Sequence, residues 1–188
     1  MGIAARAAAK VLRESPKDKR DAALHAMATA LRKHSAHLIA ENGADLDAAK
    51  GSDASAAMLD RLAVATKTIE AMAKGLEDIA ALPDPIGREL ARWMRPNGLD
   101  IARIATPIGV IGMIYESRPN VTADAAGLCL MAGNAVILRG GSESTRSSAA
   151  IHAALVEGLR AAGLPEDCVQ RVKTTDRDAV GLMLSGLE

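Results

Sequence analysis

Between residues 107 and 184 the chain alternates short apolar runs with longer stretches of helical spacing, and this alternation constrains the fold more than any other feature. Val110-Ile111-Gly112-Met113-Ile114 and Ala135-Val136-Ile137-Leu138 read as strands covered on both faces. Val169 to Val172 reads as a third strand. The intervening Thr122 to Met131, then Ser144 to Ala162, and finally Arg177 to Leu184 read as helices. Gly133-Asn134 closes the first helix, and Gly163 with Pro165 closes the second. Strand and helix taking turns at this spacing specify a parallel sheet with right-handed crossovers.

The first eighty residues carry no such alternation and read as helices. Ser15-Pro16-Lys17-Asp18 reads as a helix start, with Ser15 at the cap and Pro16 at the first helical position. Leu24, Met27, Leu31, His34 and Leu38 then share one face, and Asn42-Gly43 is expected to end the run. Ile69, Met72, Ala73, Leu76 and Ile79 make a second amphipathic face, which Pro83-Asp84-Pro85 breaks. Residues 88–95 and 99–105 flank Pro96-Asn97-Gly98, a hairpin turn signal. That ribbon is too polar on both faces for burial and is expected to lie against a neighbouring subunit or domain.

Composition narrows the function classes. The 23 basic residues balance 23 acidic ones, and the chain holds no Phe, one Trp and one Tyr. Neither a basic field nor a stacking platform for bases is present, so nucleic acid is not an expected partner. The two cysteines, Cys129 and Cys168, lack the spacing of a disulfide framework or zinc site, which fits a reducing cytosol. Charges interrupt the first twenty residues too often for a signal-peptide core, and no apolar run approaches the ~20 residues of a membrane helix. A cytoplasmic protein is expected. Its core, built mainly of Ala, Leu, Ile, Val and Met, buries little area per side chain and calls for length or a partner subunit.

In open parallel sheets, ligands bind beyond the carboxyl ends of the strands. Two segments occupy that place: Tyr115-Glu116-Ser117-Arg118-Pro119-Asn120 and Arg139-Gly140-Gly141-Ser142. The second is glycine-rich and precedes a helix, so its amides can face a phosphate. It matches neither the dinucleotide fingerprint nor the P-loop, and turn glycines beside a solvated arginine explain it equally well.

The wording is more specific than the spacing. Residues 107–144, PIGVIGMIYESRPNVTADAAGLCLMAGNAVILRGGSES, closely resemble the cofactor-binding stretch of the gamma-glutamyl phosphate reductases, and AAMLDRLAV at 56–64 resembles a second signature of that family. The resemblance implies an aldehyde-dehydrogenase-like α/β fold: an N-terminal helical region (1–84), a β-hairpin (85–106), then an incomplete Rossmann-type NADP-binding sheet (107–188). It also implies NADPH-dependent reduction of gamma-glutamyl phosphate to glutamate 5-semialdehyde, in proline biosynthesis, by a homo-oligomeric parent. On this resemblance Arg139 is the basic residue that contacts the adenosine ribose and its 2'-phosphate, with Gly140, Gly141 and Ser142 beside it. Ser142 stands where NAD-preferring relatives often hold an acid. A guanidinium can grip a phosphate through two hydrogen bonds, which a carboxylate would repel; Glu143 works against this if it points inward.

On the same resemblance Asn120 takes the place of the amide that holds the reaction's oxyanion, with capping of the turn an equal reading; a register two residues different puts Arg118 there, and Arg118 otherwise faces a substrate carboxylate or phosphate. Cys129 and Cys168, lacking a neighbouring base or helix start, read as core residues rather than nucleophiles. The family's attacking cysteine falls downstream of residue 188, so this chain alone is expected to be inactive, and Leu187-Glu188 reads as a cloning scar. His25, His34, His37 and His152 fall on helices without partners for a metal. Another acyl-phosphate or aldehyde reductase of the superfamily, or a non-catalytic assembly module, are the competing readings.

Overall fold

The computed structural model describes residues 1–52 and 54–185; Leu187-Glu188 lie outside them. Five helices come first: α1 (Gly2–Glu14), α2 (Lys17–Lys33), α3 (Ser35–Lys50), α4 (Ala56–Leu62) and α5 (Thr66–Ala80). An antiparallel hairpin of β1 (Glu89–Met94) and β2 (Asp100–Ile104) follows. The remainder is β3 (Val110–Ile114), α6 (Val121–Met131), β4 (Ala135–Arg139), α7 (Thr145–Ala161), β5 (Val169–Arg171) and α8 (Asp178–Ser185). The three later strands pair in parallel in the order β3-β4-β5. This is the mixed α/β architecture expected from the alternation.

The middle strand organises both layers, because successive side chains of a strand point to opposite faces. Val136 and Leu138 join a large core with α2, α5, α6 and α7, through Leu24, Met27, Leu31, Ile69, Leu76, Leu130, Ile151 and Leu155. Ala135 and Ile137 face the other way, onto Ala5 and Ala9 of α1 and the partly buried Met183 of α8. The leading helices therefore cover both faces of the later sheet. β3 corrects the expectation of a strand buried on both faces: Gly112 and Ile114 are exposed and its other residues half-buried. As an end strand of the sheet it has a neighbour on one side only.

The helix boundaries depart from the local signals. Pro16, not Ser15, is the cap of α2, while Ser15 ends α1 and donates its hydroxyl to the Val11 carbonyl. The first amphipathic run breaks at His34 into two helices, and α3 passes straight through Asn42-Gly43. Asn42 is buried inside α3. It donates to the Leu62 carbonyl (2.8 Å) and the Ser147 hydroxyl (3.0 Å), and accepts the Val64 amide (2.7 Å). An amide so fully partnered costs little to bury and has no reason to terminate its helix.

Small residues permit close approach in the core. A Cβ on Gly158 of α7 would stand 2.5 Å from the Met27 amide nitrogen of α2. Arg20, also on α2, is 1 % exposed, yet it donates to the Met131 carbonyl at the end of α6 (2.5 Å) and to Asp84 (2.6 Å). A cation at the last carbonyls of a helix is favourably placed against the helix dipole. This cluster joins α2, α6 and the proline-flanked turn after α5. The hairpin follows its turn chemistry: Gly98 takes φ 85°, which glycine reaches without strain. Its faces carry exposed Leu90, Trp93, Met94, Leu99 and Ile104 among charged neighbours.

Candidate functional site

Two loops meet beyond the carboxyl ends of β3 and β4. Tyr115 continues the ladder, its amide donating to the Arg139 carbonyl (3.0 Å). A Cβ on Gly140 would stand 3.1 Å from the Tyr115 ring, and one on Gly141 only 2.2 Å from Ser117 Oγ. Gly140 thus leaves room for the Tyr115 ring, and Gly141 for the close approach of Ser117. The Ser117 hydroxyl donates to Glu143, which latches the two loops together.

Around this junction lies a cleft of about 670 Å³, lined among others by Met58, Ser117, Arg139, Ser142, Glu143, Arg177 and Val180. A second cleft of about 690 Å³ runs along α1, by Arg6, Lys10, Arg13 and Pro107. That one borders the amino end of β3, opposite to where parallel sheets place their ligands, so the first cleft is the better candidate. Arg139, Gly141 and Ser142 line it together; Gly140, set against the Tyr115 ring, does not. Asn120 and Arg118 do not line it.

Arg139 is half-buried and donates to the carbonyls of Gly140 (2.8 Å) and Thr175 (3.1 Å). Its Nε is buried without a hydrogen-bond partner, and among the described residues no carboxylate lies within 4.0 Å of it. Glu143 does point inward. Ser117 and a backbone N–H hold its carboxyl below the usual range, outweighing partial burial, with help from Ser142 and the charge of Arg139. The sequence alone leaves the direction of this carboxylate open, because its serine partner lies 26 residues away.

The helix start behind the glycines is less available than expected. The α7 amides of Arg146 (3.3 Å) and Ser147 (2.8 Å) donate to Asp45 of α3, a remote cap that also accepts the Ser147 hydroxyl (2.7 Å). A phosphate placed at those two amides would meet a carboxylate already seated there. Those two amides are therefore taken, whereas Arg139 lines the cleft with no carboxylate within 4.0 Å of it among the described residues.

Asn120 sits at the head of α6 in helical geometry and caps nothing. Its amide donates to Asp124 one turn on (3.1 Å), whose carboxyl burial pushes up, partly offset by this bond. Arg118 pairs with Glu116 (2.8 Å), and Glu116 also faces Arg61 of α4 (3.5 Å). Helix α4 carries part of the second family signature and brings Met58 and Arg61 to the cleft.

Both cysteines are core residues, with burial pushing the Cys129 thiol to about 11 and Cys168 to about 12. Neither is a thiolate near neutral pH. His152 Nε2 lies 2.9 Å from the Val169 carbonyl; as donor there, in the neutral form that burial favours, it carries its proton on Nε2. His34 pairs with Glu157 (2.7 Å). Among the described residues no cluster of His, Cys, Asp and Glu could hold a metal ion, and no helix is long and apolar enough to cross a membrane.

The fold is a mixed α/β unit with a cleft beyond its strand ends, and residues 3–186 match the aldehyde dehydrogenase family, to which the chain belongs. Within that family it is similar to gamma-glutamyl phosphate reductases: 60% identical to that of Rhodospirillum rubrum over 98% of this chain and 43% of the relative. It is 57% identical to that of a Caulobacter species, over 100% and 45%. The crystal structure of the Thermotoga maritima gamma-glutamyl phosphate reductase superposes with TM-score 0.94 at 37% identity, covering 97% of this chain and 44% of that one. A propionaldehyde dehydrogenase from Clostridium phytofermentans, at 17% identity and TM-score 0.70, shares the fold. The chain spans less than half the length of these relatives.

Proposed function

We propose that this chain supplies the adenosine end of the NADPH site of a gamma-glutamyl phosphate reductase. The parent protein would reduce gamma-glutamyl phosphate to glutamate 5-semialdehyde with release of phosphate, for proline synthesis, in the cytoplasm and as a homo-oligomer. The observation that carries the cofactor assignment is Arg139: a half-buried guanidinium at the end of the central strand, with an unpartnered Nε and, among the described residues, no carboxylate partner. Such a group fits the extra phosphate of NADP, which accepts several hydrogen bonds in a fork. Ser142 and Gly141 would line the ribose beside it, with Gly140 holding the loop beneath, while Met58 and Val180 offer apolar surface to the base.

When bound, the cofactor supplies a hydride from its nicotinamide end. This chain's residues orient its other end. In this reading residues 107–188 form part of the nucleotide-binding sheet, 1–84 its helical cover and 85–106 a hairpin for contacts between subunits. The buried thiols of Cys129 and Cys168 make poor nucleophiles, so the cysteine that attacks the acyl phosphate is assigned to the part of the relatives' length that this chain does not match. Asn120 would turn its amide toward the developing oxyanion, steadied by Asp124, and Arg118 would exchange Glu116 for an anionic group of the substrate.

Titration of the purified chain with NADPH tests the cofactor assignment. Saturable binding is expected, and Arg139→Glu should weaken NADPH about thirtyfold or more while weakening NADH far less. Equal losses would remove Arg139 from the phosphate site. No binding, together with stable oligomers, would favour an assembly module instead.

A further inference from the structure

Arg139 shares its cleft with an acid that is held, not merely near. The Glu143 carboxylate accepts the Ser117 hydroxyl, and its charge and that of Arg139 attract without closing into an ion pair. Gly141 leaves no room for a Cβ beside the Ser117–Glu143 bond, since one there would stand 2.2 Å from Ser117 Oγ and 3.0 Å from Glu143 Oε2. The carboxylate is thus fixed between the two loops, where a ribose seated by Arg139 and Ser142 would pass.

We propose that Glu143, held by Ser117, is a selectivity residue of the adenosine site: it accepts a hydrogen bond from an unmodified ribose hydroxyl and opposes a phosphate at that position. The proposal rests on the reading of this cleft as the adenosine site. Its basis is elementary. An ionised carboxylate is an acceptor only, so it suits a hydroxyl and repels a phosphate, whereas the neighbouring guanidinium has the reverse preference. Cofactor choice in this cleft is therefore a balance between Arg139 and Glu143. Glu143 keeps the preference for the phosphorylated form moderate.

Two small probes isolate this end of the site: 2',5'-ADP, which carries the additional phosphate, and 5'-AMP, which does not. Calorimetric titration of the unaltered chain should give binding of both. Glu143→Gln should tighten 2',5'-ADP about tenfold and weaken 5'-AMP by about threefold. Ser117→Ala, which frees the carboxylate without removing its charge, should move the ratio the same way by a smaller factor. Circular dichroism of each variant verifies that it is folded. If the unaltered chain binds both probes and Glu143→Gln leaves their ratio unchanged, or if Ser117→Ala shifts it more than Glu143→Gln, the role of Glu143 is overturned while the adenosine site stands. If the unaltered chain binds neither probe, the adenosine site itself fails and the selectivity role fails with it.

Discussion

Arg20 and Arg139 are both arginines with a buried Nε that lacks a partner, yet the fold uses them in opposite ways. Arg20 lies in the helical layer at 1 % exposure, its remaining nitrogens given to the Met131 carbonyl and the Asp84 carboxylate. Arg139 stands at the rim of the sheet and gives its nitrogens to two backbone carbonyls, so its charge is oriented but not neutralised. A cation whose charge is met by a carboxylate of the chain joins elements together. One held in place by neutral groups, at the end of a parallel strand, is left able to meet an anion from outside. The acids repeat the contrast: Asp45 is taken up in capping α7, whereas Glu143 is held inside the cleft.

Replacing Arg20 by Met should give the largest effect, lowering stability by about 3 kcal/mol in chemical denaturation, because Asp84 and the Met131 carbonyl lose a buried partner. A loss below 1 kcal/mol would show that the cluster does not join α2 to α6. Asp45→Asn comes next. Its amide can accept only one of the two α7 amides well, so about 1 to 2 kcal/mol should be lost on thermal melting, with the ligand probes still bound. Arg139→Met reverses the pattern: stability should stay within about 0.5 kcal/mol of the parent, while NADPH affinity falls about tenfold. A large drop in stability would make Arg139 a second Arg20.

The smallest effect concerns acid. Although burial opposes it, the bonds from Ile86 N–H and Arg20, and the charges of Arg20 and Lys17, hold the Asp84 carboxyl below its ordinary range. The stabilisation is therefore fully present above about pH 4, where an unfolded aspartate ionises, and is lost as pH falls through the lower folded value. Asp84→Asn should flatten this acid limb in denaturation curves taken from pH 5 to pH 2. An unchanged limb would place the acid sensitivity in other carboxylates.

Features governed by adjacent residues were legible in the sequence. The Pro96-Asn97-Gly98 turn makes the hairpin through its own backbone preferences, and the Ala135 to Leu138 run marks a strand covered on both faces. Elsewhere the deciding partner is remote. Asn42 reads as a helix end, but its partners lie 20, 22 and 105 residues further along the chain. The apolar run of β3 resembles that of β4, and only sheet order separates an end strand from a central one. In the cleft, Arg139 and Ser142 could be placed from strand and loop alone. That Asp45 occupies the helix start, and that Ser117 turns Glu143 inward, depends on folding distant segments together.

The lone Trp93 sits on the hairpin, 43% exposed, and not in either core cluster. Its ultraviolet emission therefore reports on the ribbon and whatever settles against it. Melting of the helices and sheet could proceed with little change in that signal. A loss of helical ellipticity without a matching spectral shift would be the signature of such a molecule, and a blue shift on concentrating the sample would reveal a surface closing over the indole.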